Sequence, residues 1–328
     1  MQKFLVIQTA FIGDVVLATG IIEKLHQYYP DAAIDVVVRK GNEELLKEHP
    51  FLHEVLIWDK TQSKYGNLLK LLRKIKATKY DKLINVQRYA TTGFLTAFSK
   101  AKETIGFDKN PLSFLFTKKV KHTFDAGTHE IERNHALIRG FTDADVAKPR
   151  LYPSSKDQEK VKQYQGKSYL CVAPSSVWFT KQYPKEKWIS FLDQLPPKYN
   201  VYLLGAPGDK ALCEEIRKAS LFPFVINLAG QLNFLQSAAL MKNAVMNYVN
   251  DSAPMHFASA VNAPVTAVYC STVPAFGYGP LSSKSFIVET PEQLSCRPCG
   301  LHGYKACPKE HFKCALDIKD EQLLAALS

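Results

Sequence analysis

No apolar run in this 328-residue chain approaches the ~20 residues needed to cross a bilayer, so the sequence offers no helical membrane span. The first apolar stretch carries Asp14 and continues into an amphipathic helical pattern, which does not match a secretory signal. The expected location is therefore the cytoplasm. The first strand–helix turn has only Gly13 where a dinucleotide fold has three glycines, and the second strand pattern ends in Arg39-Lys40 where that fold carries an acid. A nicotinamide-dependent oxidoreductase is a poor match on both counts. There is no short repeat, which argues against a solenoid. There is also no Arg-rich recognition helix and no aromatic–basic module of the RNA-binding kind, so nucleic acid is not an expected partner. Acidic residues are in the minority: 31 Asp and Glu face 42 Lys and Arg, for a net charge of +11. A basic surface attracts phosphorylated or acidic substrates and anionic membranes. The lysines cluster between Lys60 and Lys82, at Lys100, Lys102 and Lys109, and at Lys118, Lys119 and Lys121.

With 46% hydrophobic and 22% charged residues the chain is globular, and its length suits two domains. Strand patterns at Phe4–Gln8, Ile34–Val38, Glu54–Trp58, Lys82–Asn85 and Glu103–Gly106 alternate with helical ones at Asp14–Tyr29, Gly41–Glu48, Tyr65–Ala77 and Gly93–Phe98. Such alternation predicts βαβ units and a parallel sheet. A further helix is expected from His129 to Gly140, followed by a linker around Pro149 and Pro153. The alternation then restarts. Strands are expected at Tyr169–Ala173, Val201–Leu204, Phe224–Asn227, Ala244–Val249 and Val265–Tyr269, with helices at Pro184–Leu195, Lys210–Ala219, Leu232–Lys242 and Met255–Val261. The expectation is an α/β protein of two doubly wound Rossmann-like domains, residues 1–150 and 151–328, facing a central cleft.

Several strand ends carry chemistry. Asp14 follows the first strand at the start of a helix, where open sheets bind ligands. It reads as a helix N-cap or as a general base kept ionised by the helix N-terminus. Ser175 and Ser176 follow the strand at Tyr169–Ala173, with Lys181 beyond, a combination suited to a phosphate. Asp209 ends the turn Gly205-Ala206-Pro207-Gly208, where it either starts a helix or accepts ribose hydroxyls. The run Asn250-Asp251-Ser252-Ala253-Pro254-Met255-His256 places small residues and free backbone N–H groups at a helix start, as a pyrophosphate requires. Asp251 lies too early to cap that helix. It is free to hold a lysine or a sugar hydroxyl. His256 is within reach as a donor. Near the C-terminus Cys296, Cys299, Cys307 and Cys314 have a candidate zinc spacing, with His302 and His311 as competing donors. The default for them is packed free thiols in a structural tail, with no metal.

Four segments in this order resemble glycosyltransferase family 9, the ADP-heptose:lipopolysaccharide heptosyltransferases. They are Gly13-Asp14-Val15-Val16-Leu17-Ala18-Thr19, Ile105-Gly106-Phe107, Thr180-Lys181-Gln182-Tyr183-Pro184 and Asp251-Ser252-Ala253-Pro254-Met255-His256-Phe257-Ala258. The cysteine tail is similar as well. The resemblance implies a GT-B fold, with the acceptor on the first domain and the nucleotide sugar on the second. It implies inverting transfer of a heptose, or a related sugar, from ADP-heptose to a lipopolysaccharide-type inner core, with no cofactor. By that resemblance Asp14 is the catalytic base and Lys181 contacts the donor phosphate and sugar. Ser175, Ser176, Asp251, Ser252, Ala253 and His256 line the donor site, and Asp209 faces the ribose. The implied partners are an ADP-sugar and an anionic glycolipid, met peripherally at the inner face of the inner membrane. The chain departs from the family at Gln8, where Arg or Lys is usual, at Gly20, where Pro is, and at Ala253, where Gly is common. Two alternatives remain. One is a non-catalytic nucleotide-sugar-binding protein, which has no use for Asp14. The other is a family 9 transferase with a different nucleotide sugar.

Overall fold

Short apolar runs flanked by turn residues build the centre of each sheet, because a strand covered by helices on both faces must be apolar along its whole length. The computed structural model describes residues 1–123 and 127–327. It divides into two units, Met1–Tyr152 and Pro153–Ser328. In the first unit the strands are β1 (Lys3–Ile7), β2 (Ala33–Arg39), β3 (Glu54–Trp58), β4 (Lys82–Asn85), β5 (Glu103–Phe107) and β6 (Lys118–Val120), and the helices are α1 (Ile12–Tyr28), α2 (Lys64–Thr78), α3 (Ala90–Ala97) and α4 (Glu130–Ala136). The sheet order is β3-β2-β1-β4-β5-β6, and every pairing is parallel. Phe4 pairs with Ile34 on one side and with Lys82 on the other, which fixes β1 at the centre. Leu5, Ile7, Val37, Trp58, Leu72, Ile75, Tyr80 and Leu83 form the core under α2.

The second unit repeats the plan. Helix α5 (Ser155–Lys162) precedes β7 (Tyr169–Ala173), α6 (Lys185–Asp193), β8 (Asn200–Leu203), α7 (Lys210–Ala219), β9 (Val225–Asn227), α8 (Phe234–Lys242) and β10 (Met246–Asn250). Then come α9 (Ala253–Ala260), β11 (Val265–Tyr269), β12 (Ser285–Glu289), α10 (Lys313–Leu316) and α11 (Asp320–Leu324). The order β12-β11-β10-β7-β8-β9, read backwards, is the same 3-2-1-4-5-6 winding as in the first unit. Tyr183, Trp188, Phe191 and Tyr248 fill its core with tilted and edge-on ring contacts. Both units are the doubly wound Rossmann-like sheets expected of the sequence.

Three local expectations differ. Gly41–Glu48 forms only a 3-10 turn at Glu43–Leu45, since Leu45 and Leu46 are its sole fully buried apolar side chains and two anchors do not sustain a longer helix. The segment after Pro153 contains α5, started by a capping box in which the Ser154 hydroxyl accepts the Asp157 N–H while Asp157 accepts the Ser154 N–H. The edge strands β6 and β12 add to the two sheets, and both are too exposed to show a clean apolar pattern. Gly20 lies where α1 meets the backbone near Ala147, and a Cβ there would stand 2.7 Å from the Ala147 carbonyl oxygen.

Candidate functional site

The first strand feeds directly into α1, and the turn between them decides what Asp14 does. The helix N-cap is Phe11, in extended conformation and without a side-chain cap bond. Asp14 is thus the third helical residue, and the N-cap reading of it is corrected. Its carboxyl is half-buried. Burial raises its pKa to about 6, and the Glu130 carboxylate on α4 adds to the rise. The N–H groups of Phe11 and Asp14 and the Arg39 guanidinium pull the other way without cancelling it. Glu130 is itself fixed by Arg133, at 2.8 Å between Oε2 and Nε. The result is a carboxyl that exchanges its proton near neutral pH, as a general base should.

The turn is braced from behind. Gln8, where a cation was the usual residue, is 2% exposed. Its Oε1 accepts the Ala10 N–H at 3.1 Å and the amide of Gln87, so it links the ends of β1 and β4.

In the second unit the sequence-predicted residues fall at three strand ends. The loop after β7 carries Ser175 and Ser176, both half-buried, and leads to Lys181 in a short 3-10 turn. The end of β10 carries Asp251, and α9 begins at Ala253 with Ser252 as an N-cap that makes no side-chain cap bond. These two strand ends meet. Lys181 Nζ lies 2.6 Å from Asp251 Oδ2, and the Thr272 hydroxyl donates to the same oxygen at 2.6 Å. Asp251 therefore holds the lysine. His256 is buried one turn into α9. Asp209 is not brought into this group. It lies after β8, where its carboxylate accepts the Ala206 N–H at 2.7 Å and shapes the turn that starts α7.

Residues to which the sequence reading gave no role make this arrangement rigid. Asn250, fully buried, donates to the Pro174 carbonyl at 2.8 Å and accepts the Tyr183 N–H at 2.9 Å, so it clamps both ends of the loop that carries Ser175, Ser176 and Lys181. The Thr180 hydroxyl accepts the Tyr304 N–H at 2.8 Å and the Ser271 hydroxyl at 3.0 Å. Asn at the last position of a buried strand was the one available signal, because a buried amide must find partners.

The cysteine tail packs onto the same strand ends. Arg297 donates to the carbonyls of Tyr269, Cys270 and Thr272 and to Glu289. Gly303, at φ +77°, leaves a space in which a Cβ would be 3.0 Å from Lys181 Cγ. All seven cysteines are free. Cys296 Sγ is 3.7 Å from His311 Nε2, and burial pushes the Cys314 thiol up to about 12. Among the described residues no group of three His, Cys, Asp or Glu side chains is placed to hold a metal ion. Through Tyr304 and Gly303 the tail packs against the Lys181 loop.

The model of glycosyltransferase family 9 (heptosyltransferase) matches residues 68–304. Lipopolysaccharide heptosyltransferase 3 of Escherichia coli is 27% identical over 277 residues, covering 80% of this chain and 82% of that protein. Lipooligosaccharide heptosyltransferase 2 of Haemophilus influenzae is 26% identical over 308 residues, covering 88% of each. The solved structure of the E. coli ADP-heptose LPS heptosyltransferase II superposes with a TM-score of 0.82 over 99% of this chain and 98% of that one, at 23% identity, which speaks to the fold.

Proposed function

The chain belongs to glycosyltransferase family 9, and we propose that its reaction is the inverting transfer of a heptose from ADP-heptose to an anionic glycolipid acceptor of the lipopolysaccharide inner-core type. The names of its relatives support heptosyl transfer to a lipopolysaccharide-type acceptor. The observation that carries the mechanism is the place of Asp14 in the first turn of α1, directly after the central strand β1, where burial raises its pKa to about 6.

In this reading the first unit binds the acceptor and the second binds the donor. Asp14 removes the proton of the acceptor hydroxyl. The oxygen attacks the anomeric carbon on the face opposite the diphosphate, the bond from that carbon to the diphosphate oxygen breaks through an oxocarbenium-like state, and ADP leaves with the electron pair. Lys181, the Ser175 and Ser176 hydroxyls and the backbone N–H groups at Ser252 and Ala253 take up the charge that grows on the leaving group. Asp251 keeps Lys181 aimed. His256 donates to the donor, and the second carboxylate oxygen of Asp209 is assigned to the ribose. With these donors the step requires no metal ion. The chain's charge of +11 suits work at an anionic bilayer surface, and no helix among the described residues is long and apolar enough to cross it. We therefore assign it peripheral action at the cytoplasmic face of the inner membrane.

A panel of nucleotide sugars in thermal-shift measurements tests the donor. ADP-heptose should raise Tm well above the shift given by UDP- or GDP-sugars, since a ligand at 100 times its Kd adds about 2.7 kcal/mol. Heptose transfer should persist in EDTA. A larger shift with a UDP-sugar would overturn the donor assignment.

A further inference from the structure

The place of Lys181 is set by the residue before it. Thr180 is 1% exposed, and its N–H, its carbonyl and its hydroxyl are all engaged by segments distant in the chain. The N–H donates to the Tyr304 carbonyl at 3.1 Å, and the carbonyl accepts the Ser271 N–H at 3.2 Å. The hydroxyl oxygen accepts the Tyr304 N–H at 2.8 Å and the Ser271 hydroxyl at 3.0 Å. Backbone on both sides of the Thr180 Cα is thereby fixed, and with it the root of the Lys181 side chain.

The two segments that hold Thr180 are tied to each other. Ser271 and Thr272 lie just beyond β11, and Tyr304 belongs to the cysteine tail. The Cys299 N–H of the tail donates to the Ser271 carbonyl at 2.8 Å. The Arg297 guanidinium donates to the carbonyls of Cys270 and Thr272, at 2.8 Å each. Thr272 then reaches the far end of the lysine, because its hydroxyl donates to the Asp251 oxygen that lies 2.6 Å from Lys181 Nζ. The stretch from Cys270 to Thr272 thus links the tail to both ends of Lys181, to the root through Thr180 and to the ammonium through Asp251. Ser271 and Thr272 are each 1% exposed, so water does not compete for these bonds.

Gly303 closes a third side. It is buried, and its φ of +77° disfavours any L side chain. A Cβ there would stand 2.9 Å from Thr180 Oγ1 and 3.0 Å from Lys181 Cγ. The tail backbone therefore runs against the methylenes of the lysine, where no larger residue fits. A lysine confined at its Cγ by backbone and at its Nζ by a carboxylate has lost much of its rotamer freedom before a ligand arrives. Binding then has less disorder to remove, which favours affinity for whatever the ammonium meets.

We propose that Thr180 and Gly303 are positioning residues for Lys181, and that the cysteine tail serves the donor site by holding this lysine toward the donor diphosphate without touching the donor. Aiming the lysine at a diphosphate rests on the transferase reading above. The consequence is selective. A ligand that carries the diphosphate depends on the tail, and one that lacks it does not.

The test is calorimetry on the full chain with ADP and with adenosine. Gly303→Ala should weaken ADP binding about 10-fold, with adenosine bound as in wild type. Thr180→Val keeps the shape and removes the hydroxyl, and it should do the same. Thr180→Ser should restore wild-type affinity, and this pair carries the test if Gly303→Ala does not fold. In a Lys181→Ala background neither Gly303→Ala nor Thr180→Val should add a further loss, since residues that act through the lysine have nothing left to place. Equal losses for ADP and adenosine, or losses that add in full to that of Lys181→Ala, would overturn the proposal and leave the tail a purely structural element. So would ADP affinity that falls in Lys181→Ala but holds in Gly303→Ala and Thr180→Val. ADP affinity that holds in Lys181→Ala itself is a separate failure: it would refute the phosphate role of the lysine, and the proposal with it.

Discussion

Asp14 and Asp251 each follow a central strand of a six-stranded parallel sheet and each lies at or just before a helix start, yet their surroundings are opposed. Asp251 has Lys181 at 2.6 Å and the Thr272 hydroxyl at 2.6 Å on one oxygen. Asp14 has burial and the Glu130 carboxylate against it, and its pKa rises to about 6. The same side chain in the same kind of turn thus does two jobs. Where a cation is adjacent, the carboxylate is a fixed strut that positions the cation. Where an anion is adjacent and water is scarce, it is the proton acceptor that we propose. The turn brings the residue to the ligand edge of the sheet, and its neighbours from distant parts of the chain decide its chemistry.

The largest effect that separates the two roles comes from Asp14→Asn. It should lower kcat by about 10²–10⁴-fold, the range of general-base catalysis, with the donor Kd nearly unchanged. Retained turnover would make Asp14 another strut and remove the contrast. Lys181→Ala should act on the other side of the reaction. It removes one partner of a pair with side chains only 15% and 8% exposed, so it should weaken donor binding by about 10- to 100-fold. Calorimetry with ADP measures this, and an unaltered Kd would mean that Asp251 positions the lysine for nothing that touches the donor.

A smaller effect lies in stability. The folded pKa of Asp14 is above its unfolded value of 3.8, so the folded state holds this proton more tightly. The group's favourable contribution is full below pH 4 and is lost as pH rises through about 6. Above that pH the ionised carboxylate costs native stability, and Asp14→Asn should therefore stabilise the protein at pH 8 by about 1–2 kcal/mol, with solvent screening reducing the full linkage value. Urea denaturation at pH 8 and pH 4 checks the sign: the gain should be present at the first pH and absent at the second. A destabilised Asn variant at pH 8 would show that the carboxylate serves its own helix.

Much of the architecture was legible because the central strands are apolar on both faces. Lys82–Asn85, Tyr169–Ala173 and Val265–Tyr269 have the bounds read from sequence, as do the edge strand Glu54–Trp58 and the strongly amphipathic Lys210–Ala219. What escaped was local structure with little apolar signal. Lys118–Val120 and Ser285–Glu289 pair only at a sheet edge, and α5 announces itself only through Ser154 and Asp157. The candidate site divides in the same way. Asp14, Lys181 and Asp251 could be found because each sits where a strand pattern stops. Their relationships could not. Glu130 comes from α4, Thr272 from the loop beyond β11, and the clamp by Asn250 depends on β10 lying beside β7. Such contacts are properties of the sheet order and leave no mark at short range in the chain.

The pH dependence of kcat/KM, compared between wild type and Glu130→Gln, tests most directly whether Asp14 is a base set by its neighbours. Wild type should lose activity about 10-fold per pH unit below about 6, and the Gln variant should carry that limb to lower pH because one of the charges raising it is gone. An acid limb that stays in place in Glu130→Gln, or activity that is flat from pH 5 to pH 8, would contradict the account.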